Sequence, residues 1–327
     1  MKLRFYGKAW LALAAMVASL SPVSAGISLK DTERFPVELY PGINDKTQDE
    51  VMLAGMAVLY PGRVTRTPLV VTATDSARKP VSAMLHNQIA YIRCYGSDAS
   101  LYTPAAGAKG VIVDLRYFGT SPETVSACVA LCRKISGTSP VVKGLGDYPV
   151  PAAEPLKVDD TAAPARVVVL VNKGTAGPIE PMLADLQAKG KVILVGTATA
   201  GATARYRQLD ATSGWWTISG ELCTGESKRS LVGSGVLPKV QVAVSAENDL
   251  LAWHWIERGV SPLVILRLSQ SNGNNGSAEK KNNAAASEGD AGQSSSDSVT
   301  GTDLVLQRGY DILAALQVME SMTASAK

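Results

Sequence analysis

Histidine is almost absent from this 327-residue chain: His86 and His254 are the only two. A histidine-rich metal site or a histidine-activated nucleophile has little to be built from, and both residues read as structural or exposed. Serine is missing between Arg166 and Thr212, and lysine between Lys191 and Lys228. Cysteine is limited to Cys94, Cys128, Cys132 and Cys223. An even set permits disulfides in an exported chain. Cys128 and Cys132 stand one turn apart on a predicted helix face and read as small core residues; a pair of Cys94 with Cys223 or with a helix cysteine stays open. Net charge is scarce too. The formal value is +3, and Lys2, Arg4 and Lys8 supply three cations in an opening segment that carries no acid. Without that segment the chain is near neutral, which gives no reason to expect nucleic acid or an anionic membrane as partner. Nothing implies a cofactor or metal, and Gly233-Ser234-Gly235 is a lone Gly-x-Gly that reads as a hairpin rather than a phosphate loop.

Residues 1–25 have the layout of a secretory signal: a basic start, an apolar run from Trp10 to Leu20, and Val23-Ser24-Ala25 before the cut. The run is too short to span a bilayer, so the expectation is an exported (periplasmic or secreted) protein with no transmembrane segment after cleavage. Residues 26–87 form a mixed N-terminal region with a predicted short helix over Gln48–Leu59 and a strand at Leu69–Thr74. The main α/β core is expected over 88–269. Residues 270–302 are low-complexity Ser, Asn, Gly and Ala, too poor in apolar surface to order, and are expected to be a flexible insertion. Residues 303–327 are expected to pack on the core as a closing helix, with Leu304, Leu313, Leu316 and Met319 on its apolar side.

The most informative stretch is Arg166–Leu209. Val167–Val171 is an apolar β-branched run ended by Asn172-Lys173-Gly174, so it reads as a buried strand. Pro178 and Pro181 fit the first turn of a helix, where a missing N–H costs little. Met182, Leu183 and Leu186 give that helix one apolar face, and Lys189-Gly190 ends it. A second buried strand, Lys191–Val195, completes a βαβ unit with a parallel pair. Upstream, Gln88–Tyr95 and Lys109–Arg116 read as strands, and a helix starting near Ser121 places Val125, Val129, Cys132 and Ile135 inward. Pro140–Pro164 reads as a proline-rich connection. Trp215 and Trp216 belong to a later strand and are read as core or as the lining of a groove.

These motifs, in this order, resemble the core of the tail-specific, or carboxyl-terminal-processing, serine proteases. In that family the first strand of the unit ends in Gly-Ser/Thr-Ala-Ser-Ala-Ser-Glu, with a serine nucleophile at the helix start. After the second strand comes Val-Gly-x-x-Thr-x-Gly-Lys, with the lysine as base and often a glutamine four residues on. Here the same frame is Gly174-Thr175-Ala176-Gly177-Pro178-Ile179-Glu180 and Val195-Gly196-Thr197-Ala198-Thr199-Ala200-Gly201-Ala202. Gly177 stands at the nucleophile position, Ala202 at the lysine and Tyr206 at the glutamine. Val113-Asp114-Leu115-Arg116 matches the family's Ile-Leu-Asp-Leu-Arg, but Tyr117-Phe118-Gly119-Thr120 replaces the Asn-x-Gly-Gly of the oxyanion loop. Lys239 replaces the aspartate of a later Gly-Ile-x-Pro-Asp motif. The resemblance implies an α/β fold, a crotonase-like stack of βαβ units; too little chain precedes the core for the family's usual PDZ domain.

Glycine has no group to attack with and alanine none to accept a proton, so a Ser–Lys dyad cannot operate at these positions. The reading that follows is a serine-type peptidase family member turned pseudoenzyme, binding unfolded peptide or a partner protein, or serving as a scaffold. Candidate groove residues are Thr175, Ala176, Pro178, Gly119 and Thr120. The alternative is a peptidase rebuilt around Thr175 or Thr203 with Lys173 or Arg205. An always-charged arginine is a poor base, which weighs against it.

Overall fold

The computed structural model describes residues 45–69, 79–95, 102, 106–150, 166–209, 214–225, 229–275 and 302–325. The expected signal, most of the strand at Leu69–Thr74, and residues 276–301 of the low-complexity tract lie outside the described residues. The chain divides into two units, Met1–Met52 and Leu53–Lys327. Of the first, only the opening of helix α1 (Asp45–Leu59) is described.

The second unit carries two sheets. The larger is built from β2 (Val81–Met84), β3 (Ile89–Arg93), β4 (Gly110–Asp114), β6 (Val167–Val171), β7 (Ile193–Gly196) and β10 (Val240–Gln241), in the order β10-β7-β6-β4-β3-β2. All neighbours run parallel except β2, which lies antiparallel at the edge. β3, β4 and β6 are buried at every position, as near-continuous apolar strands covered on both faces should be.

Side-chain alternation sorts the two faces. Val111, Val113, Val167, Val169 and Val171 join a core with helices α2 (Val125–Ser136) and α3 (Ile179–Ala188). Ile112, Val168 and Leu170 point into a second core with α4 (Ala246–Glu257), α5 (Pro262–Asn275) and α6 (Leu304–Ser325). The two-residue period of a strand thus supplies both layers from one run of valines. Helix α2 ends at Gly137, whose φ of 70° forms a left-handed cap.

The smaller sheet is antiparallel. Its central strand β9 (Trp216–Thr224) pairs β1 (Val64–Thr65) and β5 (Val142–Gly146), and also β8 (Ala204–Gln208). β5 lies within the stretch expected to be only a connection.

Three further differences from expectation lie in the helices. α4 has no counterpart in the sequence reading, although Ser245 caps it by accepting the Asn248 N–H at 3.2 Å. α5 extends to Asn275, so residues 270–275 are helical. In α6 the inward face is Val305, Leu306, Tyr310 and Leu313, whereas Leu304 and Met319 are 41% and 62% exposed. Among the described residues no helix is long and apolar enough to cross a membrane. All four cysteines are buried free thiols, so neither pairing of Cys94 occurs.

Candidate functional site

β6 delivers the chain to a turn held from three directions. Asn172 Oδ1 accepts the Tyr117 N–H at 3.0 Å and the Gly174 N–H at 2.9 Å. Its Nδ2 donates to Asp249 on α4 at 2.6 Å. Asp249 in turn pairs at 2.9 Å with Arg116, whose guanidinium also meets Asp114 and Asp303, each at 2.8 Å. These groups are all buried. Burial alone would raise the Asp114 carboxyl, but Arg116 and Arg93 outweigh it and hold the group well below the usual carboxylate range.

Beyond the turn, Phe118–Thr120 lies against Ala176. The Ala176 N–H donates to the Phe118 carbonyl and the Thr120 N–H to the Ala176 carbonyl, each at 3.0 Å, forming a parallel bridge between Gly119 and Ala176. The Thr120 hydroxyl also donates to the Ala176 carbonyl, at 2.8 Å. Thr175, Ala176 and Pro178 are buried. Of the groove residues singled out from the sequence, Thr120 lines a cavity and Gly119 is half-buried, while Gly119 and Ala176 bridge each other.

Gly177 is enclosed. Its φ is 93°, and a Cβ added there would stand 1.9 Å from the Thr120 carbonyl oxygen. A serine would therefore meet both backbone strain and a main-chain overlap. Gly177, the residue that the resemblance matches to the nucleophile, is thus sterically closed, and a Gly177→Ser/Ala202→Lys variant would need residues 118–120 to move.

Glu180 holds the two halves of the frame together. Its buried carboxyl accepts N–H groups from Gly177 at 2.9 Å, Gly201 at 2.6 Å and Ala202 at 2.8 Å, and the Thr199 hydroxyl at 2.5 Å. The Glu180 N–H donates to the Gly177 carbonyl at 3.0 Å and closes the first turn; glycine has no side chain for one half of a capping box, and Glu180 supplies the glutamate half. Burial raises its pKa, opposed by these four donors. Its signal was available in the sequence: a glutamate three residues after the helix-start glycine.

Ala202 leaves space where a larger side chain would project. It lines a cavity of about 200 Å³ with Thr120, Ala204, Arg205, Tyr206, Trp216, Pro68, Leu69 and Pro122. Tyr206 does not fill it; its hydroxyl donates to the Gly62 carbonyl at 2.7 Å. Trp216 is half-buried on the wall, while Trp215 is buried under the Arg66 guanidinium.

The residues proposed for a rebuilt site are held apart by other bonds. The Thr175 hydroxyl donates to the Leu115 carbonyl at 2.8 Å and accepts the Asn172 N–H at 3.1 Å. Lys173 Nζ reaches the Thr199 carbonyl at 3.4 Å, and Arg205 the Asp147 carbonyl at 3.3 Å. The Thr203 hydroxyl is buried and has no hydrogen-bond partner among the described residues. Among the described residues, no cluster of three or more His, Cys, Asp or Glu could hold a metal.

No family model matches the chain. Nor does any curated protein. Among solved structures it is similar to the photosystem II D1 C-terminal processing protease, at 20% identity and a TM-score of 0.35, over 55% of this chain and 48% of that one. A lipoprotein from Streptococcus agalactiae is similar at 14% identity and a TM-score of 0.38, over 68% and 85% of the two chains. Mature CPAF is similar at 11% identity and a TM-score of 0.33, over 54% and 52%. The chain thus spans about half the length of the processing protease and of CPAF. At these identities and TM-scores the likeness assigns no activity, substrate or partner.

Proposed function

We propose that this chain is an exported, non-catalytic relative of the tail-specific proteases that binds peptide or a partner protein without cutting it. The observation that carries the reading is the closure at Gly177: no side chain stands at the nucleophile position, and the Thr120 carbonyl occupies the space one would need. Ala202 at the base position gives a second, independent reason. The parallel β3, β4, β6 and β7 with helices on both faces agree with the crotonase-like stack implied by the sequence motifs. Against a rebuilt threonine site stands the Thr175 hydroxyl, whose proton is already given to a buried carbonyl, with no base bonded to it.

The test is incubation of an unstructured, fluorescently labelled protein with the mature chain, followed by mass spectrometry. No fragment is expected. Turnover by the natural chain that disappears in Thr175→Ala would overturn the reading in favour of a rewired hydrolase. N-terminal sequencing of the exported protein should start at Gly26; retention of Met1 would contradict the signal assignment.

A further inference from the structure

The charge of the whole chain is nearly balanced, but one end of the antiparallel sheet is not. Residues 63–69 and 204–218 hold Arg63, Arg66, Arg205 and Arg207 and a single acid, Asp210. Arg63 is paired with Glu221 at 3.2 Å. The other three arginines therefore outnumber the acid where the chain leaves β1 and where β8 leads toward β9.

The strand register gathers two of them on one face. Val64 and Arg207 both stand opposite Thr217 on β9, so the three side chains share a face. Two residues on, by the period of a strand, come Arg66 and Leu209 on either side of Trp215. The Arg66 guanidinium lies 4.8 Å over the Trp215 ring, and the Leu209 N–H donates to the Trp215 carbonyl at 3.0 Å. Arg66 and Arg207 are exposed, and Leu209 is 42% exposed. Trp216 faces the other way, and Leu69, 45% exposed, borders the same cavity as it. Each face of this end thus presents a leucine beside a tryptophan.

Arginine, tryptophan and exposed leucine together suit a lipid–water boundary. A guanidinium pairs bidentately with phosphate, an indole sits at headgroup depth, and an aliphatic side chain enters the acyl region. A soluble polyanion would use the arginines and leave Leu69 and Leu209 in water, so the leucines favour lipid.

We propose that this end of the antiparallel sheet docks on an anionic lipid surface, with Arg66 and Arg207 at the headgroup phosphates and Leu69 and Leu209 dipping past them. The near-neutral chain as a whole supplies no such attraction; the fold creates it by bringing β1 and β8 to opposite sides of β9. The docking goes beyond the non-catalytic reading and holds whether or not the chain cuts peptide.

The test is co-sedimentation of the mature chain with vesicles of phosphatidylcholine alone and of phosphatidylcholine with phosphatidylglycerol in equal parts. Residues 1–25 are left off, because their basic start and apolar run would bind lipid by themselves. Binding to the anionic vesicles should exceed binding to the neutral ones about tenfold or more and fall in high salt. Arg66→Gln/Arg207→Gln should lower it about tenfold or more, whereas Arg66→Lys/Arg207→Lys should keep most of it. Leu69→Gln/Leu209→Gln should lower it about tenfold. A urea midpoint close to that of the natural chain shows that each variant is folded. No binding, equal binding to both vesicles, or binding that the arginine-to-glutamine pair leaves unchanged overturns the proposal. Binding that dextran sulfate abolishes and the leucine pair leaves unchanged overturns the lipid assignment in favour of a soluble polyanion.

Discussion

Gly177 and Gly190 are both left-handed glycines, and they predict opposite sensitivities. At Gly190, φ is 67° and nothing lies within 4 Å of an added Cβ, so Gly190→Ala should cost about 1 kcal/mol, the strain alone. At Gly177 the same change adds an overlap at 1.9 Å with main chain that cannot swing away. A loss of about 3 kcal/mol or more is expected, read as a lower urea midpoint. Glu180→Gln should cost about 2 kcal/mol, because an amide offers one oxygen where the carboxylate accepts four donors. The two proteins should also differ in pH response. The Glu180 pKa is raised by burial, so its contribution is fully present below the unfolded value of about 4.3 and is lost as pH rises through the folded value. As pH falls through the folded value, stability should rise in the natural protein and not in Glu180→Gln. The lack of a reactive side chain at positions 177 and 202 was legible from residue identity. The closure over Gly177 was not, because Thr120 lies far away in sequence and approaches only through the Gly119–Ala176 bridge.

Helix α6 is tied in at its first turn and along one face. Asp303 caps it through the Leu306 N–H at 2.9 Å and meets Arg116 at 2.8 Å. Leu313→Ala should cost about 2–5 kcal/mol, since Leu313 is fully buried among Ile112, Leu170 and Leu306. Met319→Ala, at 62% exposure, should stay within about 0.5 kcal/mol. The sequence pattern had placed both on one apolar side; the buried face instead runs through Val305, Leu306, Tyr310 and Leu313, and Met319 is exposed. The ion network predicts acid sensitivity. Asp114 is held low, so its stabilisation is present above the unfolded value of about 3.9 and is lost as pH falls below it. Asp114→Asn should flatten the acid limb of the stability curve and cost about 3–5 kcal/mol at pH 7, leaving Arg93 and Arg116 without a shared partner. β5 was illegible for a local reason: Val-Lys-Gly-Leu-Gly has little strand propensity, and its place is set by pairing with β9.

Across the whole molecule the four cysteines report on packing rather than cross-linking. Each is buried as a thiol, and burial pushes Cys94 up to about 12 and Cys128 and Cys223 up to about 11. Native protein should resist a thiol reagent at pH 8, and denaturation in urea should admit four labels without prior reduction. Fewer than four labels would mean a disulfide. The sequence by itself determined the buried parallel strands, because an apolar β-branched run between turn residues has few other places to go. It also determined that positions 177 and 202 offer neither a nucleophile nor a base, because glycine and alanine lack the groups in any fold. Only the tertiary structure decided that the Thr120 carbonyl closes over Gly177 and that Glu180 ties Gly177 to Gly201 and Ala202. Each depends on segments far apart in sequence whose approach is set by packing of the two cores and the pairing of two sheets, and no local pattern encodes such distances.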